Sequence, residues 1–257
     1  MKRFVIAAFT VCCTMMSFAQ GIHWLSTSQG IGGPHTEENF AMPKMIKVVR
    51  SGNNGGSSVI IVRLDKNLLW ILSPEKKTYS EITFDELAVM AQKGKERMAA
   101  MKEKMKDMPE EQRTMMEKMM GGAMDQSIDV KKTGEKKSIA GHSCTKLVAL
   151  RGGKDFMTMW IADDVKGFKP LIADWRESAE RMSSIGSSVL KDMNKIYDSI
   201  DGFPMETTVS MMDRSMTTTV SMVEQRTTPE TQFEIPDGYS RTTSPMGGAM
   251  QRMDGTK

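Results

Sequence analysis

The chain has 257 residues, with 35 Lys and Arg against 32 Asp and Glu, 6% aromatics and 27 methionines. So even a balance of charge gives no reason to expect nucleic acid or an anionic membrane as a partner. Three cysteines are too few for a disulfide scaffold.

The N-terminus reads as an export signal. Lys2 and Arg3 form the charged start, Phe4 to Val11 an apolar run, and Ser17-Phe18-Ala19 a small-x-small cleavage site. Residues 1–19 are therefore expected to be removed, leaving a periplasmic or secreted chain that begins at Gln20. The apolar run is too short to span a bilayer, and no later segment approaches about twenty apolar residues, so no transmembrane segment is expected. Phe-Thr-Val before Cys12 is a poor lipobox, which argues against a lipid-anchored form. Removal of the signal leaves 33 basic and 32 acidic side chains and one cysteine, Cys144. With only His23, His35 and His142 beside it, no clustered zinc site is expected and no cofactor is implied.

Residues 20–41 are glycine-rich and aperiodic, and predict a loosely ordered arm. Residues 42–242 predict a single domain, with Met45 to Arg50 as a first strand and the Gly- and Asn-rich Ser51 to Ser57 as a loop. Val59 to Leu64, Leu68 to Leu72 and Thr78 to Ile82 then read as a three-stranded antiparallel meander. Its turns are Asp65-Lys66-Asn67, ending in an Asn that tolerates the left-handed conformation, and Ser73-Pro74-Glu75-Lys76. Leu68, Trp70 and Leu72 point one way and Leu69 and Ile71 the other, so both faces need cover. Helices, a second sheet or, in part, an apolar ligand would supply it.

Thr83-Phe84-Asp85-Glu86 has capping-box spacing, and Ile82 and Leu87 sit where a hydrophobic staple would. The helix it opens runs to about Asp107. Pro109 forbids continuation and starts a second helix that fades at Gly121-Gly122, which makes residues 83–121 a helical insertion. The run Ala99 to Met120, AAMKEKMKDMPEEQRTMMEKMM, holds seven of the methionines. Met98, Met101, Met105, Met108, Met115 and Met119 follow the spacing of one helix face, with Lys and Glu between them, as an inward stripe requires.

Further strands are expected over Ser138 to Leu150, Asp155 to Ile161, Phe203 to Met212 and Ser215 to Glu224. Met205, Val209 and Met211 should share one face, as should Met216, Val220 and Met222. Trp175, Ala179, Met182, Ile185, Val189, Met193 and Ile196 recur at helical spacing, giving a second helical insertion over residues 175–199. Residues 243–257 lack periodicity and predict a mobile tail.

The segments LLWILSPEKKTYSEI, SIAGHSCTKL, FMTMWIADD, DGFPMETTV and FEIPDGYSR, in this order, resemble the exported bacterial family called domain of unknown function 4412. The likeness spans about residues 42–242 and includes the Pro-Glu-x-Gln-Arg run at Pro109 to Arg113. That family is similar to the superfamily of periplasmic lipoprotein carriers. The resemblance implies an α+β fold: a curved antiparallel sheet, an incomplete barrel, with helical insertions packing on its concave face over an apolar cavity. It implies no catalytic residues. It also implies a long first strand, which Ile22 to Phe40 does not show clearly.

Catalysis finds little support in the residues. Cys144 reads as a buried small hydrophobe, and His142, two residues away, belongs to no recognisable nucleophile arrangement. There is no Gly-x-Ser-x-Gly elbow and no phosphate loop. Three non-catalytic functions remain. Met157-Thr-Met159, Met98/Met101, Met105/Met108 and Met116/Met119 have spacings seen in Cu(I) proteins. A structural or partner-binding role without ligand is the second. The third uses methionine's flexible, polarisable side chain to hold a lipid, lipoprotein or other apolar cargo between the Met-rich helix and the sheet. For that reading the candidate ligand-binding residues are Met98, Met101, Met105, Met108, Met115, Met119, Trp70, Met205, Met211 and Met222, with no metal site.

Overall fold

The computed structural model describes residues 18–30, 33–52, 56–113, 127–183, 195–211 and 214–242. Two antiparallel meanders form within them. The first comprises β1 (Phe18–Gly30), β2 (His35–Met42), β3 (Met45–Gly52), β4 (Ser57–Arg63), β5 (Leu68–Ser73) and β6 (Thr78–Thr83). The second comprises β7 (Ile128–Ile139), β8 (His142–Arg151), β9 (Lys154–Ala162), β10 (Phe203–Met211) and β11 (Arg214–Pro229). Antiparallel pairing of β1 with β11 joins them into one curved, non-closed sheet, and the short β12 (Ser240–Arg241) pairs parallel with β6 at one edge. This is the α+β incomplete barrel expected from the resemblance.

The N-terminal arm is the largest correction. Residues 18–30 and 35–42 are strands, and β1 is central, with Ile22 fully buried and Trp24 only 5% exposed. Its glycines mark close approach rather than looseness: a Cβ on Gly21 would lie 2.2 Å from the Ala41 carbonyl oxygen. The second correction falls on Ser138 to Leu150, which is a hairpin rather than one strand. Ala140 and Gly141 turn the chain with φ of 48° and 86°. The missed strand β7 is a sheet edge whose Lys-Lys-Thr-Gly-Glu-Lys-Lys core is mostly exposed, so it carries no apolar alternation.

The first meander matches its sequence signals closely. Asn67 adopts the left-handed conformation, and Thr83 caps α1 (Phe84–Lys106) in a complete capping box with Glu86. Ile82 and Leu87, the expected staple, are both buried in the main core. The chain breaks after Lys106 and turns helical again at residues 110–113, while the rest of that second helix lies outside the described residues. The second insertion starts earlier than its periodicity suggests. A turn of 3-10 helix carrying Pro170 leads into α2 (Ile172–Ser183), and residues 195–198 are helical again. Residues 243–257 lie outside the described residues.

Both faces of the first meander are covered, each differently. On the concave face Ile22, Ile46, Val62, Leu69 and Ile82 pack with Phe84 and Leu87 of α1 and Trp175 and Met182 of α2. On the convex face Phe40, Met42, Ile61, Trp70 and Leu72 pack under the C-terminal segment through Phe233, Ile235 and Tyr239. Arg63 fastens that segment: its buried guanidinium donates to the Asp65 and Glu234 carboxylates. Its hydrogen bond holds Asp65 below the usual carboxylate range. Phe233→Ala should therefore cost about 3–5 kcal/mol, the penalty for emptying a fully buried aromatic site. A correspondingly lower urea midpoint would show it, whereas a loss under about 1 kcal/mol would mean that the C-terminal cover is not fixed to the sheet.

Candidate functional site

A cavity of about 160 Å³ lies between α2 and the concave face of the second meander. Met157 and Met159 of β9, with Pro204 and Thr207 of β10, form its floor. Phe168, Ile172 and Trp175 form the helix side, and Tyr197 and Ile200 close one end. The floor follows from strand alternation: Met157 and Met159 share a face, and their cross-strand partners are Val209 and Thr207.

Aromatic contacts set the height of the roof. Trp175 packs against Trp24 at 5.5 Å between ring centres, and Phe168 meets Phe203 edge-to-face at 5.0 Å. Such contacts add about 0.5–1.5 kcal/mol each beyond area burial. Burial pushes the Tyr197 phenol above its usual pKa, against the opposing effect of a hydrogen bond with Trp175. Arg176 donates to the Tyr197 carbonyl oxygen at 2.6 Å and sits 3.4 Å from Asp198, tying residues 195–200 to α2.

The other side of α2 is held to two hairpin tips, by ion pairs at one and a charge-assisted hydrogen bond at the other. Lys44, left-handed with φ of 64°, donates its backbone N–H to Asp174 at 2.8 Å, and its ammonium bridges Asp174 and Glu177. Arg181 donates to the Asn67 side-chain oxygen and to Glu177, both at 2.6 Å.

Among the described residues, none of the candidate residues lines this cavity. Of the candidate residues, Met105 is buried, Met101 is 37% exposed and Met108 is half-buried. Met115 and Met119 lie outside the described residues, as do the side chains of Met98 and Met211. Trp70 belongs to the convex core beside Phe233, on the face away from the helices, and donates its indole N–H to Glu81. Met205 is fully buried in the main core, at a register shift of β10. Met222 does not share a face with Met216 and Val220. The β1–β11 register steps from Leu25↔Met222 to Ser26↔Val220, and the unpaired Ser221 turns Met222 to the side of half-exposed Leu25.

The cavity residues left out of the candidate set had signals. Met157-Thr-Met159 shows as a pair only on metal-binding grounds, and Trp175 as one member of a helical stripe. What brings them together is the packing of α2 across β9 and β10, which no local pattern specifies. Cys144 is fully buried, as expected of a small hydrophobe, and burial raises its thiol pKa. Among the described residues no group of three or more His, Cys, Asp or Glu is placed to hold a metal ion. Nor is any described helix long and apolar enough to cross a membrane.

An open antiparallel sheet with helices on its concave side and an apolar cavity beneath one of them defines an incomplete-barrel protein. The chain belongs to the family described as Domain of unknown function (DUF4412), whose model matches residues 86–239. It is the family that the ordered motifs resemble. Comparison with curated proteins gives no match. Among solved structures, the chain is similar to one in the Pseudomonas aeruginosa MucA/MucB complex at 8% identity, covering 84% of this chain and 56% of that one, with a TM-score of 0.40. A DUF1329 family protein from Desulfovibrio piger matches at 7% identity over 85% and 90% of the two chains, with a TM-score of 0.30. A crystal structure of MucB gives 9% identity, 85% and 58% coverage and a TM-score of 0.33. The chain thus spans less than three fifths of the two MucB-related chains.

The contacts of Lys44 give a pH dependence. Its hydrogen bond holds Glu177 below the usual glutamate pKa, and contacts to Asp174 and Glu177 raise the Lys44 pKa. A depressed carboxylate contributes stability that is present above its unfolded-state pKa, about 4.3, and lost as pH falls through the folded value. A raised ammonium contributes stability that is lost as pH rises past about 10.5. Trp175 fluorescence should accordingly change in acid below about pH 4, before global unfolding. In Lys44→Ala that separate acid step should disappear; its persistence would assign it to another carboxylate.

Proposed function

We propose that this is an exported, non-catalytic protein that binds an apolar ligand in the cavity between α2 and β9–β10. One observation carries the reading: an apolar space walled by Met, Ile, Phe and Trp side chains on the concave face of the sheet. A dry apolar cavity of about 150 Å³ is known to admit a benzene-sized molecule, so about 160 Å³ admits one ring or roughly six carbons. Burial of six methylenes at about 0.8 kcal/mol each gives about 5 kcal/mol, or a Kd of roughly 10⁻⁴ M. This magnitude favours one short aliphatic or aromatic group over the several acyl chains of a lipoprotein, which would need α2 to move away.

The Cu(I) alternative is less favoured. The cavity gathers two thioethers, Met157 and Met159, but its other lining residues include no His or Cys to complete a soft ligand set. The export signal motif at residues 1–19 supports a periplasmic or secreted location.

1-Bromohexane is a suitable probe, because bromine quenches indole fluorescence on contact and Trp175 lines the cavity. Titration should quench saturably, and Ile172→Trp, which places a large side chain into the space, should abolish the saturable part. Met157→Ala should act oppositely, enlarging the cavity and extending binding to longer bromoalkanes, at a stability cost of about 2–5 kcal/mol. Quenching that is linear in probe and indifferent to Ile172→Trp would sink the proposal.

A further inference from the structure

The concave face changes character beside the cavity. One row of directly paired residues crosses it from Met159 on β9 through Thr207 on β10, Thr218 on β11 and Ser28 on β1. Directly paired residues share a face, so the row passes from the apolar floor into three hydroxyls in succession. Ser26 and Asn39, one position along on β1 and on neighbouring β2, extend the polar strip. Ser26, Ser28 and Asn39 are each 3% exposed, yet none carries a charge.

These groups are hydrogen-bonded but not exhausted. Ser28 and Thr218 share one hydrogen bond at 2.7 Å, and Asn39 donates to the Ser26 hydroxyl at 3.5 Å. Among the described residues these two bonds use one hydroxyl proton of the first pair and one Asn39 N–H, and the side chains carry further donors and acceptors. An ionised group buried there would lose its hydration without a counter-charge, whereas a hydroxylated group would exchange water for equivalent partners. The ionisable groups that border the strip on β2 are partnered with each other: Glu37, opposite Ser26, is bridged by Arg50 at 2.6 Å and lies 3.5 Å from His35, which stands opposite Ser28. In a second recess, Lys132 lies 2.8 Å from Asp201 and Lys146 lies 3.0 Å from Glu135.

We infer that the ligand is an amphiphile whose apolar end fills the cavity and whose uncharged, hydroxyl-bearing head lies across β10, β11 and β1 on Thr207, Thr218 and Ser28. The inference rests on the apolar-ligand reading and adds the chemistry of the head. Two interstrand spacings separate Thr207 from Ser28, about 10 Å, which suits a sugar or glycerol group with its substituents.

A six-carbon series tests it by calorimetry on the whole protein: hexyl glucoside, hexanol and hexanoate. Hexyl glucoside should bind tightest. The double variant Ser28→Ala/Thr218→Val removes both members of a hydrogen-bonded pair at little change of shape, a replacement that folds tolerate well. It should weaken hexyl glucoside about tenfold, the worth of one to two net hydrogen bonds, and leave hexanol unchanged. If hexanol equals hexyl glucoside, or hexanoate exceeds it, the head inference is overturned while apolar binding stands. If no member binds and 1-bromohexane fails to quench, both readings fall.

Discussion

The pairing of β1 with β11 is the contact on which the rest of the molecule depends. Two meanders that fold from largely local pairings meet along thirteen residue pairs between strands almost two hundred residues apart. Without that seam there would be two separate sheets, each with an uncovered apolar face. With it, one curved surface carries Ile22 and Trp24 at its centre, and the helices have a single concavity to cover. The bulge at Ser221 in the same seam decides which side chains of β11 enter that concavity: Val220 and Val223 do, and Met222 does not.

The roof over the concavity combines two kinds of contact. Trp175 and Phe168 fix α2 by aromatic packing against Trp24 and Phe203, while Lys44 and Arg181 tie its polar side to two hairpin tips. Packing of this sort is strong but non-directional, and exposed ion pairs are weak but directional. Together they leave a space lined mainly by apolar side chains, with the Thr207 hydroxyl at its floor.

Methionine abundance has two meanings in this chain. On β9, Met157 and Met159 are buried and shape the cavity floor, where a flexible thioether adapts to a neighbour or a guest. On α1, Met105 is buried while Met101 is 37% exposed. Helical spacing by itself does not distinguish these environments. A stripe of apolar residues shows that a helix has a preferred side, but the partner it meets along its length is set elsewhere in the chain.

Local chemistry made much of the fold legible. The alternation of Leu68 to Leu72, the left-handed Asn67, the Thr83–Glu86 capping box and the break before Pro109 are each governed by neighbours within a few residues, so the sequence by itself determined them. So did burial of Cys144, and the ordered motifs identified the family. Strand β1 was hidden because Gly21 serves a close approach to Ala41, a contact invisible without the partner strand, and β7 because an exposed edge needs no apolar face. The cavity, the convex position of Trp70 and the reversal of Met222 were decided only by tertiary structure. Each depends on which distant strand supplies the partner and on whether the register slips by one residue, and such a slip exchanges the two faces of a strand.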